Sequence, residues 1–367
     1  MSRLGLLNRY STLNVGDASI YAAYESMAAA SGVGVAAPIA APVHPAPLAD
    51  SGLRCDAYLA VGGDVWNNAR PRLITRSFLA NLARLYRSPP ERTFVFGQSV
   101  PVSCRGFSFA MLCRALRRVS AVHVRDTESH ARLTGAGVPA RLGYDSAFGL
   151  SLPKQGIDAA HSAFQRMGAD PGRVALLSGR CFNAMYPVDN RRAFDALAKL
   201  IVRLARRGHR PVFLVQAMVD AHDQDHALAT RLQRVVPELE VLDAFGARDY
   251  GAQPWELACG AAALARIVIG VRFHTSVFRM LAGRSAFVAH YSGKGRDLVR
   301  RLGQPGCAID ALDADRHIGA IEATAETAFD IASVRQQVRA DFRSALGSAL
   351  AQPDGGATPT EAASANR

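Results

Sequence analysis

Short apolar runs alternate with longer amphipathic segments along most of this chain. Runs too short for a helix read as buried strands, and apolar residues recurring every three or four positions read as helices. The first run, Leu4–Leu7, leads into a polar turn, Asn14-Val-Gly-Asp17. A helix is expected from Ala18 to about Ala30, with the Asp17 carboxylate capping its first amides. Residues 36–50 carry Pro38, Pro42, Pro45 and Pro47 and read as a surface loop, because proline removes a helix donor. A strand over Ala57–Val61 ends in Gly62-Gly63-Asp64. Helix Phe78–Tyr86, strand Thr93–Gly97 and helix Phe107–Val119 follow. Strand Ala121–Val124 runs into Arg125-Asp126, then helix Thr127–Thr134 and a short strand Arg141–Tyr144 ending at Asp145.

Residues 151–172, with Pro153, Pro171 and several glycines, read as a transition, after which the alternation restarts. Strands are predicted at Val174–Ser178, Pro211–Val215, Val241–Leu242, Ile267–Val271 and Ala286–His290. Helices are predicted at Arg191–Arg207, Asp223–Val235, Trp255–Ala265, Thr275–Ala282, Gly295–Leu302 and Ser333–Ala351. Strand–helix alternation of this kind implies parallel sheets covered by helices on both faces. The fold class is therefore α/β, with two Rossmann-like domains facing a cleft. The expected units are residues 1–165 and 172–351, followed by a disordered tail at 352–367 rich in Gly, Pro, Thr, Ala and Ser. Ligands of open parallel sheets sit beyond the carboxyl ends of the strands, which makes the residues just after each strand the informative ones.

Length agrees with this partition: 367 residues, at roughly 150 per domain, make two domains. The net charge is +12, from 43 Lys+Arg against 31 Asp+Glu, yet only Lys154, Lys199 and Lys294 are lysines. Arginine-rich, lysine-poor usage of this kind follows from GC-rich coding, which weakens the charge as evidence for a nucleic-acid partner. The six cysteines are scattered without a CxxC pair, which fits a reducing compartment better than a disulfide framework. The apolar stretch at the N-terminus is too short for a signal peptide, and no charge-free run of 18 apolar residues occurs. A cytoplasmic protein is expected, with a basic surface suited to peripheral attachment at anionic head groups.

The strongest strand end is Ile267-Val-Ile-Gly-Val-Arg272-Phe273-His274. An apolar strand here delivers an arginine and a histidine at the start of a helix, where dipole and free amides favour an anion. Arg272 offers a planar fork for phosphate or carboxylate, and His274 can move a proton near neutral pH. The next strand ends in Tyr291-Ser-Gly-Lys294, a mobile ammonium in an arginine-rich chain. Arg125, after the Ala121–Val124 strand, reads equally as a second anion clamp or as an intradomain Arg–Asp ion pair. Arg180, after Gly179, reads similarly. Gly62, Gly63 and Asp64 permit a close backbone approach to a ligand. His222 and His226 stand four residues apart, but among the acids Asp220, Asp223 and Asp225 they read as a solvated helix start, and no metal is expected. Dinucleotide and phosphate-loop fingerprints, hydrolase elbows, zinc spacings and aromatic–basic interleaving for nucleic acid are all missing from the sequence.

Taken in order, Asn14-Val-Gly-Asp17, Gly62-Gly63, Phe96-Gly-Gln98-Ser, Val124-Arg-Asp126 with Glu128-Ser129, Asp145-Ser-Ala-Phe148, Val271-Arg-Phe-His274 and His290-Tyr-Ser-Gly-Lys294 resemble the polysaccharide pyruvyl transferases over roughly residues 4–310. The resemblance implies a GT-B-like pair of domains. It also implies transfer of the enolpyruvyl unit of phosphoenolpyruvate to two sugar hydroxyls, with release of phosphate. On that basis His274 is the general acid, and Arg272, Lys294 and Arg125 form the anionic-donor site. Arg180, Phe273 and Tyr291 assist from the second domain. Asn14, Gly16, Asp17, Gly62, Gly63, Asp64 and Gln98 hold the acceptor, a sugar or lipid-linked oligosaccharide. No cofactor beyond the donor is implied. Phe273 stands where the family often has Leu, and Asp64 where it often has a third Gly. Two other readings remain open: a GT-B glycosyltransferase using a nucleotide sugar, and a non-catalytic binder of anionic ligands.

Overall fold

The computed structural model describes residues 2–8, 13–36, 54–68, 74–182, 186, 188–219 and 224–351. The segment expected as a loop at 36–50, the 352–367 tail and residues 220–223 lie almost wholly outside them. The first half runs β1 (Arg3–Leu7), α1 (Val15–Ala29), β2 (Gly34–Ala36), β3 (Ala57–Ala60), α2 (Arg76–Arg87), β4 (Thr93–Gln98), α3 (Phe107–Leu116), β5 (Ala121–Val124), α4 (Thr127–Gly135) and β6 (Ala140–Leu142). Its parallel sheet has the order β2-β1-β3-β4-β5-β6. Alternation along the strands sorts two cores. Leu4, Leu6, Leu59, Phe94 and Phe96 face one side, while Ala60, Val95 and Val122 face the α2–α3 layer.

The chain continues through α5 (Lys154–Arg166), β7 (Val174–Leu177), α6 (Asn190–Arg206), β8 (Arg210–Val215), α7 (Asp225–Val235) and β9 (Glu240–Asp243). It ends with α8 (Pro254–Leu264), β10 (Ile267–Gly270), α9 (Phe273–Leu281), β11 (Phe287–His290), α10 (Gly293–Arg301), β12 (Gly306–Ala308), α11 (Ala314–Ala323) and α12 (Ile331–Leu350). The second parallel sheet has the order β12-β11-β10-β7-β8-β9. The strand order reverses between β1 and β3 in the first sheet and between β7 and β10 in the second. These are the points at which such sheets bind ligands.

Two sequence expectations are corrected. The stretch read as a transition contains α5, whose glycine is a contact surface. A Cβ on Gly156 would lie 2.2 Å from the Glu256 carbonyl oxygen, and one on Gly260 would lie 1.9 Å from the Gly156 oxygen, so α5 and α8 pack backbone to backbone. Helix α5 therefore belongs with the second sheet. Helix α12 returns to the first sheet, because its stripe Val334, Val338, Phe342, Ala345, Leu346 and Ala349 recurs at helical spacing and buries there. The Phe342 ring meets Tyr24, Phe94 and Phe96 at 6.2, 5.8 and 5.4 Å. The chain therefore crosses between the two sheets at α5 and again at α12. Finally, α1 begins at Val15 with Asn14 as its cap, Asn14 Oδ1 accepting from the Gly16 amide at 3.0 Å. Asp17 lies inside the first turn instead. The earlier start follows from backbone pairing across the halves, where Val15 N donates to Gln216 O and Met218 N to Leu13 O, both at 2.9 Å.

Phe342→Ala should lower the unfolding free energy by about 3–5 kcal/mol in urea titration, since three aromatic neighbours lose their partner. The exposed neighbour change Arg343→Ala should stay within about 0.5 kcal/mol.

Candidate active site

The carboxyl ends of both sheets meet. Asp64 follows β3, Ser99 follows β4, Arg125 follows β5 and Asp145 comes shortly after β6. From the other half, Arg180 follows β7, Arg272 caps α9 just after β10, and Tyr291 to Lys294 follow β11. Four of these side chains, Lys294, Asp64, Arg125 and Asp145, form a line of alternating charge that ends at His274, and the line crosses between the halves twice. Lys294 Nζ lies 2.8 Å from Asp64 Oδ2, and Asp64 Oδ1 lies 2.8 Å from Arg125 Nη2. Arg125 Nη1 lies 2.6 Å from Asp145 Oδ2. Asp145 Oδ1 then stands 3.6 Å from His274 Nε2, an electrostatic contact longer than a hydrogen bond. Phe273 packs beneath the line, its ring centre 5.6 Å from the Arg125 guanidinium and 5.9 Å from Lys294 Nζ.

His274 occupies the second position of α9 and is 8% exposed. Its Nε2 is buried and makes no hydrogen bond among the described residues. A Cβ on Gly16 would lie 2.1 Å from His274 Nδ1, so the start of α1 has to be glycine for the ring to fit. Behind the ring, Arg279 of α9 is fully buried and donates to the carbonyls of Ala262, Ala263, Ala265 and Arg266 at the end of α8, which fixes α9 in place.

Electrostatics follow from the pairing. Burial opposes ionisation of Asp145, but His274 and Arg125 outweigh it and hold the carboxyl well below its usual range. Burial likewise opposes ionisation of Asp64, and Lys294 with Arg125 override it. Asp64 keeps a third of its side chain exposed, so water screens part of that attraction. Burial works against the Lys294 charge too, and Asp64 nevertheless pushes its pKa up. On the far side, Arg180 Nη1 donates to Tyr291 Oη at 2.8 Å and its guanidinium stands 4.9 Å from the Tyr186 ring and 5.2 Å from that of Tyr291. Burial raises the Tyr291 hydroxyl, while Arg180, Lys294 and Arg272 more than reverse this and lower it. Burial, then the neighbouring Tyr291, pushes Tyr186 up to about 12.

The structure thus brings His274, Phe273, Lys294, Arg125 and Asp64 together, with Arg180 and Tyr291 alongside. Gly16 and Asn14 touch the same seam. Arg272, expected to offer an open fork, and Arg125, read equally as a clamp or an ion pair, are both bonded to internal carboxylates. Arg125 Nε also donates to Ser99 Oγ at 2.7 Å. Arg272 Nε donates to Asp225 Oδ1 at 2.9 Å and to Gly179 O at 3.1 Å, and Asp225 is fully buried. Gln98 is turned inward: its amide nitrogen donates to the Ala60 and Val61 carbonyls, and its oxygen accepts from the Trp66 indole. Gly62 donates its amide to Tyr24 Oη at 2.9 Å, and Gly63 pairs with Gln98 as a β-bridge. These residues shape the end of β3 rather than line open space. Residues given no role from sequence are Asp145, Ser99 and Asp225. Asp145 carried the signal used for the others, a polar residue just past a strand. Asp225 lay in the segment weighed for metal and is instead the partner of Arg272, while His226 stands 3.2 Å from Asp243.

Both acids have depressed folded-state values, so their stabilisation is complete above the ordinary carboxylate value of 3.8 and is lost as pH falls below it. Thermal unfolding followed from neutral pH to about pH 3 should show the midpoint dropping steeply at the acid end. Asp145→Asn should be destabilised at neutral pH and should flatten that acid limb.

Compared with known proteins, the family described as polysaccharide pyruvyl transferase matches residues 5–292. No curated protein sequence matches significantly. Among solved structures, the chain resembles UDP-GlcNAc 2-epimerase from Methanocaldococcus jannaschii, with 10% identity, a TM-score of 0.54, and 93% of this chain and 99% of that one covered. It also resembles Anabaena HepE, solved in complex with UDP, with 12% identity, a TM-score of 0.52, and coverage of 94% and 100%. At such identities the likeness is one of fold, two Rossmann-like domains in a GT-B-like arrangement. The family match spans well over half of the sequence, and the chain belongs to the polysaccharide pyruvyl transferase family, which makes it a transferase.

Proposed function

We propose that the protein transfers the enolpyruvyl group of phosphoenolpyruvate onto two hydroxyls of a sugar in a cell-surface glycan precursor, free or lipid-linked, and releases phosphate. The observation that carries this reading is His274. It is a buried imidazole at a helix start, its Nε2 without a hydrogen-bond partner among the described residues, set beside an ionised Asp145 and within a group of cations.

The reaction needs one acid and a receptacle for an anion. In this reading His274 delivers a proton to the donor's methylene carbon, which becomes a methyl group and leaves the adjacent carbon cationic. A sugar hydroxyl adds to that carbon and gives up its proton. The carbon–oxygen bond to phosphate then breaks, and the second hydroxyl closes the cyclic ketal. Two hydroxyl protons are released: one restores His274 for the proton it gave to the methylene carbon, and the other leaves on the departing phosphate. Lys294 and Arg180 are the cations with access to a phosphate or carboxylate. Arg125, bonded to Asp64 and Asp145, and Arg272, bonded to Asp225, hold the two strand ends in register. Burial strengthens these attractions by excluding water. A phosphoenolpyruvate donor sets the reaction in the cytoplasm. Glycosyl transfer from a nucleotide sugar shares the fold, but the family match speaks against it.

A ligand that binds only the native state raises the unfolding midpoint, by about 2.7 kcal/mol of stability at a hundredfold excess over its dissociation constant. Phosphoenolpyruvate should raise the midpoint of the wild type, UDP-sugars should not, and Lys294→Ala should lose most of the shift. A shift with UDP-sugars alone would assign the site to glycosyl transfer instead.

A further inference from the structure

Charge is distributed very unevenly along this chain. Residues 65–125 hold eleven arginines and one acid, Glu91, which places a net +10 of the chain's +12 in one stretch. Among its described residues, Arg76, Arg84 and Arg87 lie on α2 and Arg105, Arg114, Arg117 and Arg118 on or beside α3, in the outer layer of the first half, while Arg125 is buried in the site. On α3 the exposed stripe runs Phe107, Ala110, Arg114 and Arg117, and on α2 it includes Arg76, Leu79 and Arg87. Among the described residues none of Arg76, Arg87, Arg105, Arg114, Arg117 and Arg118 forms an ion pair. On α6, by contrast, Arg203 pairs with Asp315, and just past its end Arg207 pairs with Glu322.

Apolar side chains stand in the same layer. Phe107 is 73% exposed, Val102 67% and Leu79 43%, three of the five large hydrophobic residues that are exposed among those described. Loop hydrogen bonds tie the segments that carry them. Thr75 N, at the cap of α2, donates to Asn68 Oδ1, and Asn68 N donates to Ser103 Oγ, beside Val102. The layer also adjoins the site, since only two residues separate Val102 from Ser99, which accepts from Arg125.

We propose that the α2–α3 face, with the Val102–Phe107 loop as its tip, docks the protein on a bilayer of anionic phospholipid. The arginines meet the head groups, while Val102, Phe107 and Leu79 enter the boundary with the acyl chains. An excess of unpaired cations alone would suit any polyanion. The protruding apolar tip selects the bilayer over a nucleic acid, whose backbone offers it nothing. No helix among the described residues is long and apolar enough to cross a membrane, so this attachment is peripheral.

The test is co-sedimentation of the full chain with vesicles of phosphatidylcholine alone or with about 30% phosphatidylglycerol. Neither donor nor acceptor is present, so the result is independent of the proposed reaction. The wild type should bind only the anionic vesicles. Arg76→Glu/Arg105→Glu/Arg114→Glu should weaken binding about a hundredfold. Val102→Ser/Phe107→Ser should weaken it about tenfold. Arg191→Glu/Arg206→Glu on α6 should change it less than about twofold. All these side chains are exposed, and unchanged thermal unfolding checks the fold. No preference of the wild type for anionic vesicles would overturn the proposal. So would wild-type binding by both docking variants, or a Val102→Ser/Phe107→Ser protein that binds as wild type and is displaced by duplex DNA, which would mark the face as a general polyanion surface.

Discussion

The line from Lys294 through Asp64, Arg125 and Asp145 to His274 is the interaction on which the rest of the structure depends. Charges taken out of water are tolerated only when they are paired and hydrogen-bonded. The first half alone would bury Arg125 with its two acids and leave Asp64 and Asp145 each with one side unmatched. The second half supplies the two matching groups, Lys294 at the start of α10 and His274 at the start of α9. Docking of the halves and assembly of the site are therefore the same event. The backbone pairing of Leu13 and Val15 with Met218 and Gln216 fixes how close the halves come, and Gly16 leaves room there for the histidine ring.

Much of this was legible in the sequence because it is local. Apolar runs marked both sheets, and the rule that ligands sit past strand ends led to His274, Lys294 and Arg125, which the fold brings together. What escaped is non-local. Arg272 looked like an open anion fork, but its partner Asp225 is 47 residues away, and the partner of Asp64 is 230 residues away. Nothing in the spacing of either pair reveals it. Helix α5 escaped for another reason: Gly156 reads as a breaker until a second backbone is known to press against it. The edge strands β2 and β12, three residues each, are too short to carry a period. Helix α12 was recognised as a helix, yet its place on the first sheet depends on which aromatic residues Phe342 meets.

The family supplies the class of chemistry, and the proposed reading divides labour among the residues. Arg125 and Arg272 are bonded to carboxylates at the strand ends. Lys294 and Arg180 lie nearer to solvent. His274 is set apart from both groups by its lack of a hydrogen bond at Nε2 among the described residues.

That division is the account's central claim, and separating donor binding from turnover in His274→Gln tests it most directly. Phosphate release from phosphoenolpyruvate with an acceptor glycan would be measured beside calorimetric titration of the donor on the same samples. The account predicts donor affinity close to that of the wild type, with turnover reduced by about a thousandfold, as expected for loss of a general acid. Turnover close to that of the wild type would contradict it, and so would a loss of donor binding large enough to explain the whole defect.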